Sequence, residues 1–221
     1  MKELEYVLPG EIEKRSFEII GQELEEMHIT IPADEEPVTK RVIHTSADFE
    51  YAHTMTYSKN AVQIAKELIA NGADIVTDTN MALAGINKKV LARYGGVAHC
   101  FMADEEVARI AKSRQGARAP VGRGKGARAT VSMEKAAQIQ KPEIFALGNA
   151  PTALVSLYEL MQKSDWRPAF IIGVPVGFVN VEAAKELILE TDVPHIVNRG
   201  RKGGSNVAAA IVNAILYELG R

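Results

Sequence analysis

The chain has 221 residues, 47% of them apolar and 24% charged, which suffices for one large α/β domain or two small ones, and we take it as one. A single cysteine, Cys100, excludes an internal disulfide framework and fits a reducing compartment, and no Cys and His cluster has zinc spacing. The net charge of -2 conceals an uneven distribution, because ELEEMHITIPADEE is acidic whereas KSRQGARAPVGRGKGAR carries six basic residues and no acid.

The first residues, MKELEYVLPGEIEKR, mix both charges and contain no apolar core segment, so neither a signal peptide nor a membrane span is expected and the protein is expected in the cytoplasm. EIEKRSFEIIGQELEEM reads as a helix with Ile12, Ile19, Ile20 and Leu24 apolar, and a second helix is predicted from Asp34 through Pro37 to about His44. Pro37 falls in its first turn, where proline is tolerated. Ser58 can cap SKNAVQIAKELIANG, which stops at Asn71-Gly72 and feeds the strand ADIVT. VAHCFM, EIFALG, PAFIIGV and PHIVN also have strand character. Between or after them lie the helical patterns DEEVARIAKSR, TVSMEKAAQIQ, APTALVSLYELMQK, VEAAKELILE and SNVAAAIVNAILYEL. The alternation predicts an α/β fold, Rossmann-like and three-layered, with a mainly parallel sheet and helices on both faces. The last helix is apolar over much of its circumference, so it or a neighbour is expected to bury surface in a twofold homodimer.

EIFALGNAPTAL, FIIGVPVGFV and HIVNRGRKGGSN each run from a strand into a glycine-containing turn and then a helix start. Ligands of open α/β sheets lie outside the carboxyl ends of the strands, and such turns can offer backbone N–H groups to an anion. Each glycine alone can equally serve only to permit a tight turn. Neither G-x-G-x-x-G after a strand nor a Walker loop occurs, so a dinucleotide or nucleoside triphosphate is poorly supported while carboxylates remain open. The basic stretch from Lys112 to Arg128 reads as a solvated loop, a nucleic-acid patch or a flap over an anionic ligand. No aromatic residue interrupts residues 102 to 144, which argues against base stacking and hence against nucleic acid. A flap would be mobile over residues 114–127, with Arg118, Arg123, Lys125 and Arg128 gripping carboxylates.

His44 stands three residues after Arg41 on one face of the second predicted helix. An arginine beside a histidine suits a dry core poorly, and His53, His99 and His195 show no paired metal-ligand spacing with His44. Structural and catalytic roles both stay open from this pattern.

KRSFEII, RVIHTSAD, ADIVTDTNM, ALGNAPTAL, IIGVPVGFV and IVNRGRKGGSNVAAA, in that order along nearly the whole chain, resemble the precorrin-8X methylmutase family of cobalamin biosynthesis, including its cobalt-precorrin-8 branch. The resemblance implies a Rossmann-like homodimer that moves a methyl group of a corrinoid polycarboxylate from C-11 to C-12, with no redox cofactor or methyl donor. It implies His44 as proton donor or acceptor and Ser16 and Arg41 as substrate contacts. The strand-end turns join these as expected contacts, through Gly148, Asn149, Ala150 and Thr152, through Gly173, Pro175 and Gly177, and through Arg199, Gly200, Arg201, Gly203, Gly204 and Ser205. Two segments depart from the family pattern. Ala127-Arg128-Ala129-Thr130 keeps the arginine of a T-R-S-A-A segment without its flanking hydroxyls, and Thr45-Ser46-Ala47 stands where some members have Ala-Cys-Gly. A nucleotide or phosphosugar enzyme would share the glycine turns but needs a phosphate motif. A non-catalytic tetrapyrrole carrier would share the anion site but has no need of His44.

Overall fold

The computed structural model describes residues 6–116 and 128–220. Helix α1 (Ile12–Glu26) turns Ile20 and Leu24 inward, and α2 (Glu36–Ser46) buries Val38, Val42 and Ile43 with Pro37 in its first turn. A single turn, α3 (Tyr51–Thr54), leads directly into strand β1 (Met55–Tyr57). Helix α4 (Ala61–Ala70) ends at Gly72, whose φ of 84° turns the chain into β2 (Asp74–Thr77). Two short helices, α5 (Asn80–Gly85) and α6 (Lys88–Arg93), precede β3 (Ala98–His99), and α7 (Glu105–Gly116) follows it. The remaining elements are α8 (Arg128–Ala136), β4 (Glu143–Leu147), α9 (Pro151–Lys163), β5 (Phe170–Gly173), α10 (Val181–Leu189), β6 (His195–Asn198) and α11 (Ser205–Leu219).

The six strands form one sheet in the order β1-β6-β5-β4-β2-β3, parallel throughout except for β1, which pairs antiparallel with β6. Every residue of β2, β4, β5 and β6 is buried, because helices cover both faces. Residues of α1, α2, α4 and α11 meet Ile75, Ile144, Phe170 and Ile196 on one face. Those of α8, α9 and α10 meet Val76, Phe145, Leu147 and Ile171 on the other. The α/β class and the three layers follow from the strand and helix rhythm as expected.

Several local expectations differ. α3, β1, α5 and α6 carry too few residues to establish a period, and each gains its order from packing. The run VAHCFM forms a strand only at Ala98 and His99. Ser58 does not cap α4 with its side chain; its Oγ accepts the His195 N–H at 2.8 Å, while Asn60 enters the helix at φ 57°. The helix predicted from TVSMEKAAQIQ already begins at Arg128. The apolar circumference of α11 is covered by its own chain, chiefly by α2, α4, α5 and the sheet, so this helix supplies no reason for a dimer.

Candidate active site

The strand order reverses between β2 and β4, and in open α/β sheets this is where an anionic ligand sits. Here the crevice is filled by Asp78, the residue after β2. Its Oδ1 accepts the Gly148 N–H at 2.9 Å, and its Oδ2 accepts the Asn149 and Ala150 N–H groups at 2.8 and 2.6 Å. Burial pushes the Asp78 carboxyl above its ordinary range, and the three N–H bonds act in the opposite direction. The backbone donors that the GNAP turn was expected to offer a substrate are therefore occupied. Thr152, beyond them, is exposed, and its carbonyl accepts from Ser156.

The turns after β4, β5 and β6 are pressed together. A Cβ on Gly148 would lie 2.5 Å from Gly204 O, and one on Gly203, at φ 158°, would lie 2.0 Å from Val174 O. Only glycine fits at either place. Gly173 is buried within β5, Pro175 is buried beside Gly203, and the Gly177 N–H reaches Arg201 O at 3.2 Å. Ser205 Oγ meets Thr79 Oγ1 at 2.7 Å. Beneath the Arg199–Gly204 turn, fully buried Lys185 donates to the carbonyls of Gly200 and Lys202, both at 2.8 Å, and burial lowers its ammonium to about 8. The cations above it face outward and are paired: Arg199 with Glu186 at 3.1 Å, and Arg201 with Glu182 at 3.1 Å while stacking on Phe178. Lys202 pairs with Asp48 and Glu50, whose carboxylates hold its ammonium above the ordinary lysine range.

That last pair joins this turn to the segment after α2. His44 lies in the last turn of α2, four residues before Asp48, and is exposed. Its ring stacks on Phe17 at 5.4 Å, and neither ring nitrogen is hydrogen-bonded among the described residues. Arg41 lies between the rings of Phe17 and Tyr217, at 4.8 and 5.2 Å, and its Nη2 donates to Glu13 at 2.7 Å. Its side chain is only 11% exposed, and its Nε is buried without a hydrogen-bond partner among the described residues. Ser16 Oγ donates to Ile12 O at 2.8 Å. A cavity of about 860 Å³ beside Arg41 is lined by five glutamates and three cations, lies toward the C-terminal end of α11, and does not include His44. Its charge suits a polycarboxylate poorly.

His44 thus lies one helical turn before the Asp48 carboxylate that pairs with Lys202 of the basic turn, and it shares the Phe17 ring with Arg41. Arg128 is exposed at the first position of α8, on the opposite face of the sheet, two residues before Thr130, whose Oγ1 accepts from Ser156 at 2.9 Å. Arg118, Arg123 and Lys125 of the expected flap lie outside the described residues. Among the described residues no group of three or more His, Cys, Asp or Glu is arranged to hold a metal ion. Asp78, Lys185 and Asn198 were missed by sequence reasoning; Asn198, buried at the end of β6, accepts from Thr54 at 2.7 Å and donates to the Arg199 and Lys202 carbonyls at 3.1 and 2.9 Å. The signal for two of them was a charge where the pattern calls for an apolar residue, directly after a buried strand for Asp78 and on the buried side of VEAAKELILE for Lys185.

A mainly parallel α/β sheet whose carboxyl edge carries paired cations and close-packed glycine turns, with an exposed histidine in the helix leading to it, is a Rossmann-like fold suited to an anionic ligand. The model of the precorrin-8X methylmutase family matches residues 11–218, and the chain belongs to that family. It is an isomerase of the methylmutase type, of cobalamin biosynthesis. It is 40% identical over 210 residues to the cobalt-precorrin-8 methylmutase of Priestia megaterium, covering 95% of this chain and 88% of the relative. Identity to the cobalt-precorrin-8 methylmutase of Salmonella typhimurium is 39%, over 96% of each chain. The solved structure of the precorrin-8x methyl mutase from Thermus thermophilus superposes with a TM-score of 0.82 at 35% identity, covering 94% of this chain and 95% of that one.

Proposed function

We propose that this protein binds precorrin-8X or cobalt-precorrin-8 and moves the methyl group from C-11 to C-12 of the macrocycle, giving the hydrogenobyrinate or cobyrinate skeleton. The observation that carries this reading is the exposed His44, free at both ring nitrogens among the described residues, one helical turn before the Asp48 carboxylate that pairs with Lys202 of the turn bearing Arg199 and Arg201. The substrate carries acetate and propionate arms around its rim. Those arms can take the cations from Glu186, Glu182, Asp48 and Glu50 at little cost, because exposed ion pairs contribute only about 0 to 1 kcal/mol. A macrocycle held at several carboxylates is fixed so that the migrating and accepting carbons stay aligned, which is where most of the rate must arise. His44 supplies or removes a proton as the methyl group migrates, a role typically worth about 10² to 10⁴ in rate. Arg41 and Ser16 act from behind Phe17, and Arg128 grips a carboxylate from the other face.

The same reading takes the protein as a single cytoplasmic methylmutase domain without nucleic-acid or membrane partners; among the described residues no helix is long and apolar enough to cross a membrane. It assembles as a homodimer, for which exposed Tyr6, Leu8 and Ile12 are available apolar surface. Absorbance spectra taken while the protein is mixed with metal-free and with cobalt-containing substrate test the reading. Conversion of at least one is expected. A spectral change on binding without product would make the protein a carrier, and no binding of either would end the proposal.

A further inference from the structure

Asp78 is 1% exposed, and three backbone N–H groups converge on its two oxygens at 2.6 to 2.9 Å. The next residue, Thr79, accepts the Ala82 N–H at 3.1 Å to begin α5 and meets Ser205 Oγ at 2.7 Å at the start of α11. On its other side Gly148 abuts the Gly204 carbonyl so closely that no Cβ would fit. The carboxylate, the turn after β4 and the first turn of α11 are therefore stacked in direct contact. Close-packed groups of this kind transmit a displacement rather than absorb it.

We propose that Asp78 is an internal anion that fills the switch-point site of the sheet and acts as a positioning residue, holding Gly148 to Ala150 and, through Gly148 and Thr79, the Gly204–Ser205 start of α11. Its effect on turnover rests on the methylmutase reading above. An aspartate suits this place better than an asparagine. Two oxygens are needed for three donors, and an amide would turn its NH₂ toward the Gly148 N–H. A water molecule has only two acceptor sites and no charge to answer the N-terminal end of α9. It follows that substrate carboxylates are left to the cations of the turn after β6 and do not enter the α9 nest. A shift of about 1 Å in a group that holds substrate can cost about 10²-fold in rate, so loss of Asp78 reaches the chemistry without touching it.

The test is Asp78→Gly, which leaves the three donors in place and room for one small carboxylate, with formate as the probe. Without formate the folded variant, checked by circular dichroism, is expected to melt at lower temperature and to lose at least about tenfold in kcat, with KM changing less. Formate should recover part of both, and chloride at equal ionic strength should not. Asp78→Asn, which keeps the volume and two of the three bonds, should fall between. Wild-type kcat in either folded variant overturns the proposal, as does formate that moves neither the melting temperature nor kcat. If Asp78→Gly does not fold even with formate, Asp78→Asn decides: reduced kcat at retained KM supports the assignment and wild-type kcat overturns it. Failure of the methylmutase reading looks different, since the wild-type protein would then convert no substrate while formate still raised the melting temperature of Asp78→Gly.

Discussion

Replacing Glu143 by glutamine should change how stability depends on pH while leaving turnover alone. Glu143 opens β4 directly opposite Asp74 of β2, at the amino edge of the sheet, far from the turns that carry the site. Its side chain is 3% exposed, and its Oε1 has no hydrogen-bond partner among the described residues. Asp74 offers no help, because its oxygens already take His99 Nε2 at 2.9 Å, Lys141 Nζ at 3.0 Å and the Val97 N–H at 2.9 Å. Burial first, and the Asp74 charge second, push the Glu143 carboxyl from an ordinary 4.5 up to about 8. Between those values the folded chain holds a proton that the unfolded chain has released. The stability linked to this proton is thus complete below about pH 4.5 and is lost as pH rises toward 8. Each tenfold difference in proton affinity is worth about 1.4 kcal/mol, so the loss above pH 8 is at most about 5 kcal/mol. For a chain of this size 1 kcal/mol moves Tm by about 2 to 4 °C. Calorimetry from pH 5 to pH 8.5 should show Glu143→Gln and wild type melting close together at the acid end. At the alkaline end the variant should melt about 10 °C or more above wild type. Parallel curves across that range would refute the reasoning, because they would mean that Glu143 ionises at no cost to the fold.

Lys185→Met keeps the apolar stem of the side chain but takes the ammonium donor from the Gly200 and Lys202 carbonyls, of which the Lys202 carbonyl keeps Asn198 Nδ2 at 2.9 Å. An unpaired buried group costs about 1 to 3 kcal/mol, so with the Gly200 carbonyl left unpaired chemical denaturation should show lower stability and spectral titration should show weaker corrinoid binding. Arg128→Ala should weaken substrate binding about tenfold or more, the worth of one charge-assisted pair to a carboxylate, and unchanged affinity in the same titration would make Arg128 a solvated surface residue. Light scattering at micromolar concentration should give twice the monomer mass, with Ile12→Glu shifting it toward the monomer; a fully active monomer would contradict the homodimer.

The sheet was legible because its central strands β4 and β5 carry the apolar runs IFAL and AFII, each followed by glycine, and the long helices because their apolar residues repeat at helical spacing. β1 was not legible: MTY is half-buried, three residues long and antiparallel, and it exists because β6 offers an edge. At the site, the position of the glycine turns could be read from sequence but their use could not. The GNAP turn has the composition of an anion cradle and binds an anion that the chain itself supplies, a fact that depends on the β2–β4 neighbour relation and on no local pattern. Arg41 likewise stands on the same face as His44, as its spacing implies, yet its guanidinium is committed to Glu13 and two rings contributed by α1 and α11.

The central claim is that His44 moves a proton as the methyl group migrates, and single turnover of His44→Ala with substrate carrying a ¹³C-labelled C-11 methyl tests it most directly. The ring is exposed and stacks on Phe17, so its removal should cost little stability and the variant should remain folded and bind the corrinoid. At saturating substrate the label should appear at C-12 about 10²-fold or more slowly than with wild type, because the proton is needed only in the transition state. Label transfer at the wild-type rate in the folded variant would contradict the account.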